Sequence, residues 1–269
     1  MGKPLLALLV ALFSLCLLPA CGQETAESAD GDEDIGVAAG ALVSDNALVP
    51  NALVPNALSP GSLAAIELDS MAGVLSRRFL RYVVSCAFDG AQSFSFSWTD
   101  STGVVHQEHY EGKLGIAPEW ATGPLTDETR QRLVSGCVAA RVNWYGVSVT
   151  ISVRSLHEPL RTYASSPEVA AYPNVEGAFW GNLFVQAPYL SACYEENAVA
   201  VSRAAYRDCA AGHIEGDSVV PCGMIALTGP CSSSCSKLTA GGRYHSVCVD
   251  HPGVTGSGHT AAVVTTALP

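Results

Sequence analysis

The chain has 269 residues, 48% of them apolar, and a formal net charge of −11. That is enough chain to bury a hydrophobic core of ordinary size. The acidity is uneven: residues 22–60 hold seven Asp and Glu and no Lys or Arg, and setting aside that −7 and the +1 of Lys3 leaves −5 for residues 61–269. With no basic face to neutralise phosphates, nucleic acid is not an expected partner.

The first 20 residues read as an export signal. Lys3 supplies a positive start, and Leu5–Leu18 is an apolar run of 14 residues, short of the ~20 that a membrane span needs. Leu18-Pro19-Ala20-Cys21 closes it with a small residue followed directly by cysteine, which fits a lipobox. A plain secretory signal requires no such cysteine. A lipoprotein requires it, because the Cys21 thiol takes a diacylglyceryl group and becomes the mature N-terminus. Gly22, rather than Asp, follows Cys21, the pattern sorted to the outer membrane in enteric bacteria. The sequence therefore predicts a protein anchored by lipid to the bacterial cell envelope, at the outer membrane.

Residues 21–60 read as a tether. Gly22–Asp34 is polar and acidic, with too little apolar surface to offset the entropy of ordering it. Asn46–Pro50, Asn51–Pro55 and Asn56–Pro60 then repeat Asn-Ala-Leu-x-Pro. A period of five matches neither helix nor strand, and the prolines remove backbone donors, so a semi-extended spacer is expected.

Residues 61–269 read as one globular domain. Apolar residues from Leu63 to Cys86, following Ser62 as cap, approximate helical spacing, and Asp89-Gly90 supplies the stop. Phe94, Phe96 and Trp98 alternate with serines, as a half-buried strand does. Asp100–Gly103 is a turn, and Val104–Tyr110 its hairpin partner. Gly115–Pro124 reads as loop. Thr126-Asp127-Glu128 opens a second helix, with its acids at the positive end and Leu133, Val134, Cys137, Val138 and Arg141 along its inner stripe. Val147, Val149, Ile151 and Val153 form another alternating strand. Leu156–Pro173 reads as irregular, Gly177–Val185 as short strand or loop, and Ala198–Ala211 as helix. Val219–Thr228 reads as a strand near an edge, because Pro221 interrupts it. Ala261–Leu268 is a last strand or frayed tail. No βαβ rhythm appears, so the expected class is α+β: a small antiparallel sheet with packed helices and a loop-rich C-terminal part stapled by disulfides.

That staple follows from cysteine usage. Apart from Cys16 in the signal and Cys21, eight cysteines remain: Cys86, Cys137, Cys193, Cys209, Cys222, Cys231, Cys235 and Cys248. An even number in an exported chain reads as a disulfide framework. Cys86, near the end of the first helix, and Cys137, on the inner stripe of the second, are the one pair the pattern proposes.

Candidate chemistry is thin. His106-Gln107-Glu108-His109 is the densest group of ligand-type side chains, and two ligands from one strand could hold a metal if a third came from elsewhere. On a strand His106 and Glu108 share one face and His109 takes the other. Gly216-Asp217-Ser218 lacks the context of a protease nucleophile. Trp120 and Trp180 fall in or beside loops. Glycines bracket the latter in Glu176–Asn182, so Trp120, Trp180 and Asn182 are the candidate ligand-contacting residues.

Arg81–Ala87, Gly115–Trp120, Ala139–Gly146, Glu176–Phe184 and the Asn-Ala-Leu-x-Pro repeat resemble a group of lipobox-bearing exported proteins of myxobacterial type. The resemblance implies a shared fold and a lipid-anchored state. No activity is established for that group, so no catalytic residue is carried over. The leading expectation is a non-enzymatic binding or interaction module that needs no cofactor. It would be held to the membrane through its lipid and face a glycan or an envelope protein. The alternative is a metal-assisted hydrolase using the His106/Glu108/His109 cluster.

Overall fold

The computed structural model describes residues 37–38, 68–69, 71–141, 149–204, 213–215, 218–220 and 225–269. Cys21, the Asn-Ala-Leu-x-Pro repeat, Cys209, Cys222 and the Trp144-Tyr145 pair lie outside them. The chain divides into residues 1–32, outside the described set, and a compact unit of residues 33–269 that holds every element below.

Strand β1 (Val37–Ala38) pairs antiparallel with β4 (Val149–Thr150). Helix α1 (Met71–Ala87) buries Phe79, Leu80, Val83, Val84 and Ala87, the three- and four-residue spacing that puts one stripe against a core. Strands β2 (Ser93–Thr99) and β3 (Val105–Glu111) form the expected hairpin, in register Ser95↔His109 and Phe96↔Glu108. Asp100 shapes its turn by accepting from the backbone N–H groups of Thr102 and Val104, both at 2.9 Å. Helix α2 (Glu128–Ala140) starts where Asp127 accepts from the N–H groups of Thr129 and Arg130.

The stretch read as irregular contains two short helices, α3 (Leu160–Tyr163) and α4 (Ser166–Ala171). Strand β5 (Ser152–Arg154) precedes them, and β6 (Asn174–Asn182), β7 (Tyr189–Tyr194), α5 (Val199–Ala204) and the hairpin of β8 (His213–Glu215) with β9 (Ser218–Val220) follow. The C-terminal part adds β10 (Ile225–Pro230), α6 (Cys231–Ser234), the pair β11 (Cys248–Val249) and β12 (His259–Thr260), and β13 (Val264–Leu268). The main sheet runs β10-β7-β6-β13-β5, antiparallel throughout except for the parallel β10–β7 edge pair. The fold is α+β.

Both faces of this sheet are covered. On one, Phe179, Leu190, Ala192, Ile225 and Val264 join the main core with α1 and α2. Helix α2 sits close: a Cβ at Gly136 would lie 3.0 Å from the Phe179 carbonyl oxygen. On the other face Ala178, Trp180 and Val263 pack with Cys193, Cys231 and Cys248. Three disulfides hold the described parts together: Cys86–Cys137 joins α1 to α2, Cys193–Cys231 staples the C-terminal part to β7, and Cys235–Cys248 closes that part on itself. The buried Glu176 carboxylate accepts from Ser202 Oγ at 2.9 Å and Thr266 Oγ1 at 2.8 Å, linking α5 and β13 to β6.

Two open readings resolve. Of the alternatives for the C-terminal stretch the last strand holds, and Val264–Leu268 lies inside the sheet between β6 and β5. For Gly177–Val185, read as short strand or loop, the strand holds up to Asn182: Glu176–Asn182 is the body of β6, and its glycines serve strand pairing. A Cβ at Gly177 would lie 2.0 Å from the Cys193 carbonyl oxygen. Gly177→Ala therefore forces β6 and β7 apart, and the expected cost is about 1–3 kcal/mol or more. A lowered denaturation midpoint at unchanged m would register it.

Candidate functional site

The β2–β3 hairpin has two chemically different faces, because side chains alternate along each strand. Phe94, Phe96, Trp98, His106, Glu108 and Tyr110 point inward. Trp98 is half-buried, with the Arg77 guanidinium of α1 4.4 Å from its ring centre and the His106 ring stacked on it at 4.3 Å. Glu108 takes Arg77 Nε at 3.0 Å, the Trp98 indole N–H at 3.1 Å and the Tyr110 hydroxyl at 2.9 Å. Burial, and then the Glu108 charge, push the Tyr110 hydroxyl far above its ordinary range. His106 Nε2 donates to Asp100 at 2.8 Å. That bond, with one from Thr102, holds the Asp100 carboxyl well below the usual range.

The proposed metal ligands are thus not brought together. His106 and Glu108 are each engaged by neighbours on the inner face. His109 is on the opposite face, with Nδ1 2.7 Å from Ser95 Oγ. Period-two alternation separates His109 from the other two, and among the described residues no metal-sized group of ligand atoms includes any of the three.

Trp120, Trp180 and Asn182 are not surface residues either: all three are 0% exposed. Trp120 sits in a 3-10 turn, Pro118–Ala121, edge-on to Phe88 and Phe184. Trp180 fills the second face of β6 and donates from Nε1 to the Asp250 carbonyl at 3.2 Å. Asn182 Oδ1 accepts from the Phe184 N–H, capping the end of the strand. Glycines beside aromatics signal close backbone approach, and here the approach is between strands.

The outer face of the hairpin is the more informative surface. Ser93, Ser95, Ser97 and Thr99 on β2 and Val105, Gln107, His109 and Glu111 on β3 are all exposed. Across the strands they pair Ser93↔Glu111, Ser95↔His109, Ser97↔Gln107 and Thr99↔Val105. Val104 and Val105 at the tip are 53% and 60% exposed. The serine alternation that marks β2 in the sequence marks this exposed face as well as the buried one.

A polar network at the start of β7 was not legible. Arg132 of α2 donates from Nη1 to the Tyr189 hydroxyl at 2.8 Å and to Asp250 Oδ1 at 2.7 Å, and the Tyr189 hydroxyl donates to the same oxygen at 2.7 Å. His251 packs on Tyr189 with ring centres 4.1 Å apart. Burial, and then the bond to Asp250, push the Tyr189 hydroxyl up to about 12. Burial also pushes the Asp250 carboxyl up, but the bonds from Arg132 and Tyr189 outweigh it and leave the group below its ordinary value. A lowered folded value adds stability above the unfolded value of ~3.9, and this stability is lost as pH falls through the folded one. Asp250→Asn should therefore lower stability at pH 7 and flatten its fall as pH drops below about 4. Denaturant midpoints across that range test this, and an unchanged slope would contradict it.

No family model, curated protein or solved structure matches the chain significantly.

Proposed function

We propose that the protein is an exported lipoprotein whose folded part is a non-enzymatic binding module. Its hairpin outer face would be the contact surface, and a neutral envelope glycan its ligand. The carrying observation is that face: eight exposed side chains in two cross-strand-paired rows, rich in hydroxyl, amide and imidazole groups, with Glu111 as the one carboxylate. Such a surface offers many hydrogen-bond donors and acceptors and little net charge, which suits sugar hydroxyls better than an ionic ligand. It also lacks the central aromatic or arginine anchors that dominate protein interfaces.

The lipobox at Leu18–Cys21 supports the anchor, and the three disulfides fit an oxidising compartment. The likeness to lipobox-bearing proteins of myxobacterial type fits the same location. The test is retention of the full-length, detergent-solubilised protein on immobilised neutral envelope polysaccharide. Ser97→Lys, which alters the middle of the exposed face without touching the core, should weaken retention by about tenfold, the effect of losing ~1.4 kcal/mol. Equal retention of both forms, no retention at all, or capture of an envelope protein through this face instead would overturn the glycan reading.

A further inference from the structure

The β2–β3 hairpin leaves one long edge unguarded. The Gly112 N–H donates to the Gln92 carbonyl at 2.8 Å and the Asp100 N–H to the Val104 carbonyl at 3.0 Å, which sets the phase of the ladder. Hydrogen-bonded pairs recur at every second residue, so Phe94↔Tyr110, Phe96↔Glu108 and Trp98↔His106 complete it. The backbone N–H and C=O groups of Ser93, Ser95, Ser97 and Thr99 therefore point away from β3. Among the described residues β2 pairs with no other strand, and α1 packs nearer β3. Proteins usually blunt such an edge with lysine, proline or a bulge. Ser93–Thr99 holds no charged residue, no proline and no glycine, and its register with β3 is unbroken.

The order of residues along this edge sets what fits it. Read in either direction from Phe96, the segment alternates hydroxyl and aromatic side chains. Two copies related by a two-fold axis at Phe96 would pair Ser95 with Ser97 and Ser93 with Thr99, each pair exchanging both of its outward backbone bonds. Phe96 would meet Phe96, and Phe94 would meet Trp98, aromatic against aromatic on the inner face. Every hydroxyl would stay on the outer face. The phase agrees as well, since the residues brought into hydrogen-bonded pairs are those whose backbone the hairpin leaves unbonded. The β3 edge fails the same comparison. A two-fold axis at its middle residue would set Glu108 against Glu108 and Val105 against Glu111, with like charges opposed at the centre.

We propose that β2 of one copy pairs antiparallel with β2 of a second copy about Phe96. The product is a two-fold dimer with one continuous sheet, β3-β2-β2-β3. The outer rows of the two hairpins join into a single face, and the contact does not depend on what that face binds. One strand pair is small beside a standard protein interface, so the dimer exchanges reversibly with monomer.

Sedimentation equilibrium of the full-length protein in density-matched detergent tests this. No polysaccharide is present, so the outcome is separate from that of the glycan test. Wild type should show a concentration-dependent monomer–dimer equilibrium. Ser95→Lys combined with Ser97→Lys opposes like charges at both symmetry-related pairs and should weaken the dimer about tenfold. Ser95→Lys combined with Ser97→Glu opposes unlike charges at the same two pairs and should dimerise at least as tightly as wild type. Both variants change only exposed side chains, and dimerisation of the second shows that Ser95→Lys leaves the fold intact. A wild type that stays monomeric at its highest soluble concentration would overturn the proposal. So would a dimer unaffected by the like-charged variant, or an unlike-charged variant as weak as the like-charged one.

Discussion

Replacing Cys86 and Cys137 together by alanine should lower the stability of the oxidised protein by about 4 kcal/mol. The two residues are 51 positions apart, and releasing a loop of that length restores roughly that much chain entropy to the unfolded state. The loop includes the whole β2–β3 hairpin and the Trp120 turn, so the bridge restrains the candidate surface as well as the helices. Native packing adds to the effect, since both cysteines are 0% exposed and Arg141 Nη1 donates to Ser85 Oγ beside the bridge at 2.7 Å. The denaturant midpoint of the double variant should fall and its m-value should rise, because the unfolded chain, freed of the bridge, exposes more area. An unchanged midpoint would mean that α1 and α2 are held by side-chain packing alone.

Trp120→Ala should be comparably damaging, at about 3–5 kcal/mol, the range for deleting a buried large aromatic side chain. The ring is fully buried where three connections meet: the end of α1 through Phe88, the loop after β6 through Phe184, and its own 3-10 turn. No single neighbour can collapse into a space that several elements enclose, so the cavity term stays large. Trp120→Phe should recover much of the loss. A thermal midpoint within a degree or two of wild type for Trp120→Ala would restore the reading of this residue as a surface contact.

The sequence was most readable where one periodicity ruled. The Phe94/Phe96/Trp98 alternation located the hairpin, and the acidic Thr126–Glu128 opening located α2 to within two residues. Cys86 and Cys137 could be paired because each sat on the inner side of a legible helix. The reading weakened where a strand is covered on both faces. β6 shows no alternation, because Phe179 faces α2 while Trp180 faces the stapled layer, so it resembled a glycine-rich loop. β13 had the same difficulty: all five of its residues are buried. The single edge strand expected over Val219–Thr228 falls instead on two strands: β9, paired with β8, and β10, which lies at the edge of the main sheet and pairs in parallel with β7.

The candidate sites were harder still, since they depend on long-range register. Arg132 and Asp250 are 118 positions apart, so no local pattern could join them. His106, Glu108 and His109 are close in sequence, yet strand geometry divides them between two faces. Nearness along the chain misled there, and distance concealed the Arg132–Asp250 pair.

Export and acylation underlie the whole functional account, so the deciding measurement is a non-reducing intact-mass and bridge-peptide analysis of the protein extracted from its native envelope. The account predicts a mature chain that begins at Cys21 and carries a diacylglyceryl thioether. Its bridged peptides should join Cys86 to Cys137, Cys193 to Cys231 and Cys235 to Cys248. A chain that keeps residues 1–20, or one with an unmodified Cys21 and free thiols at these six positions, would contradict it.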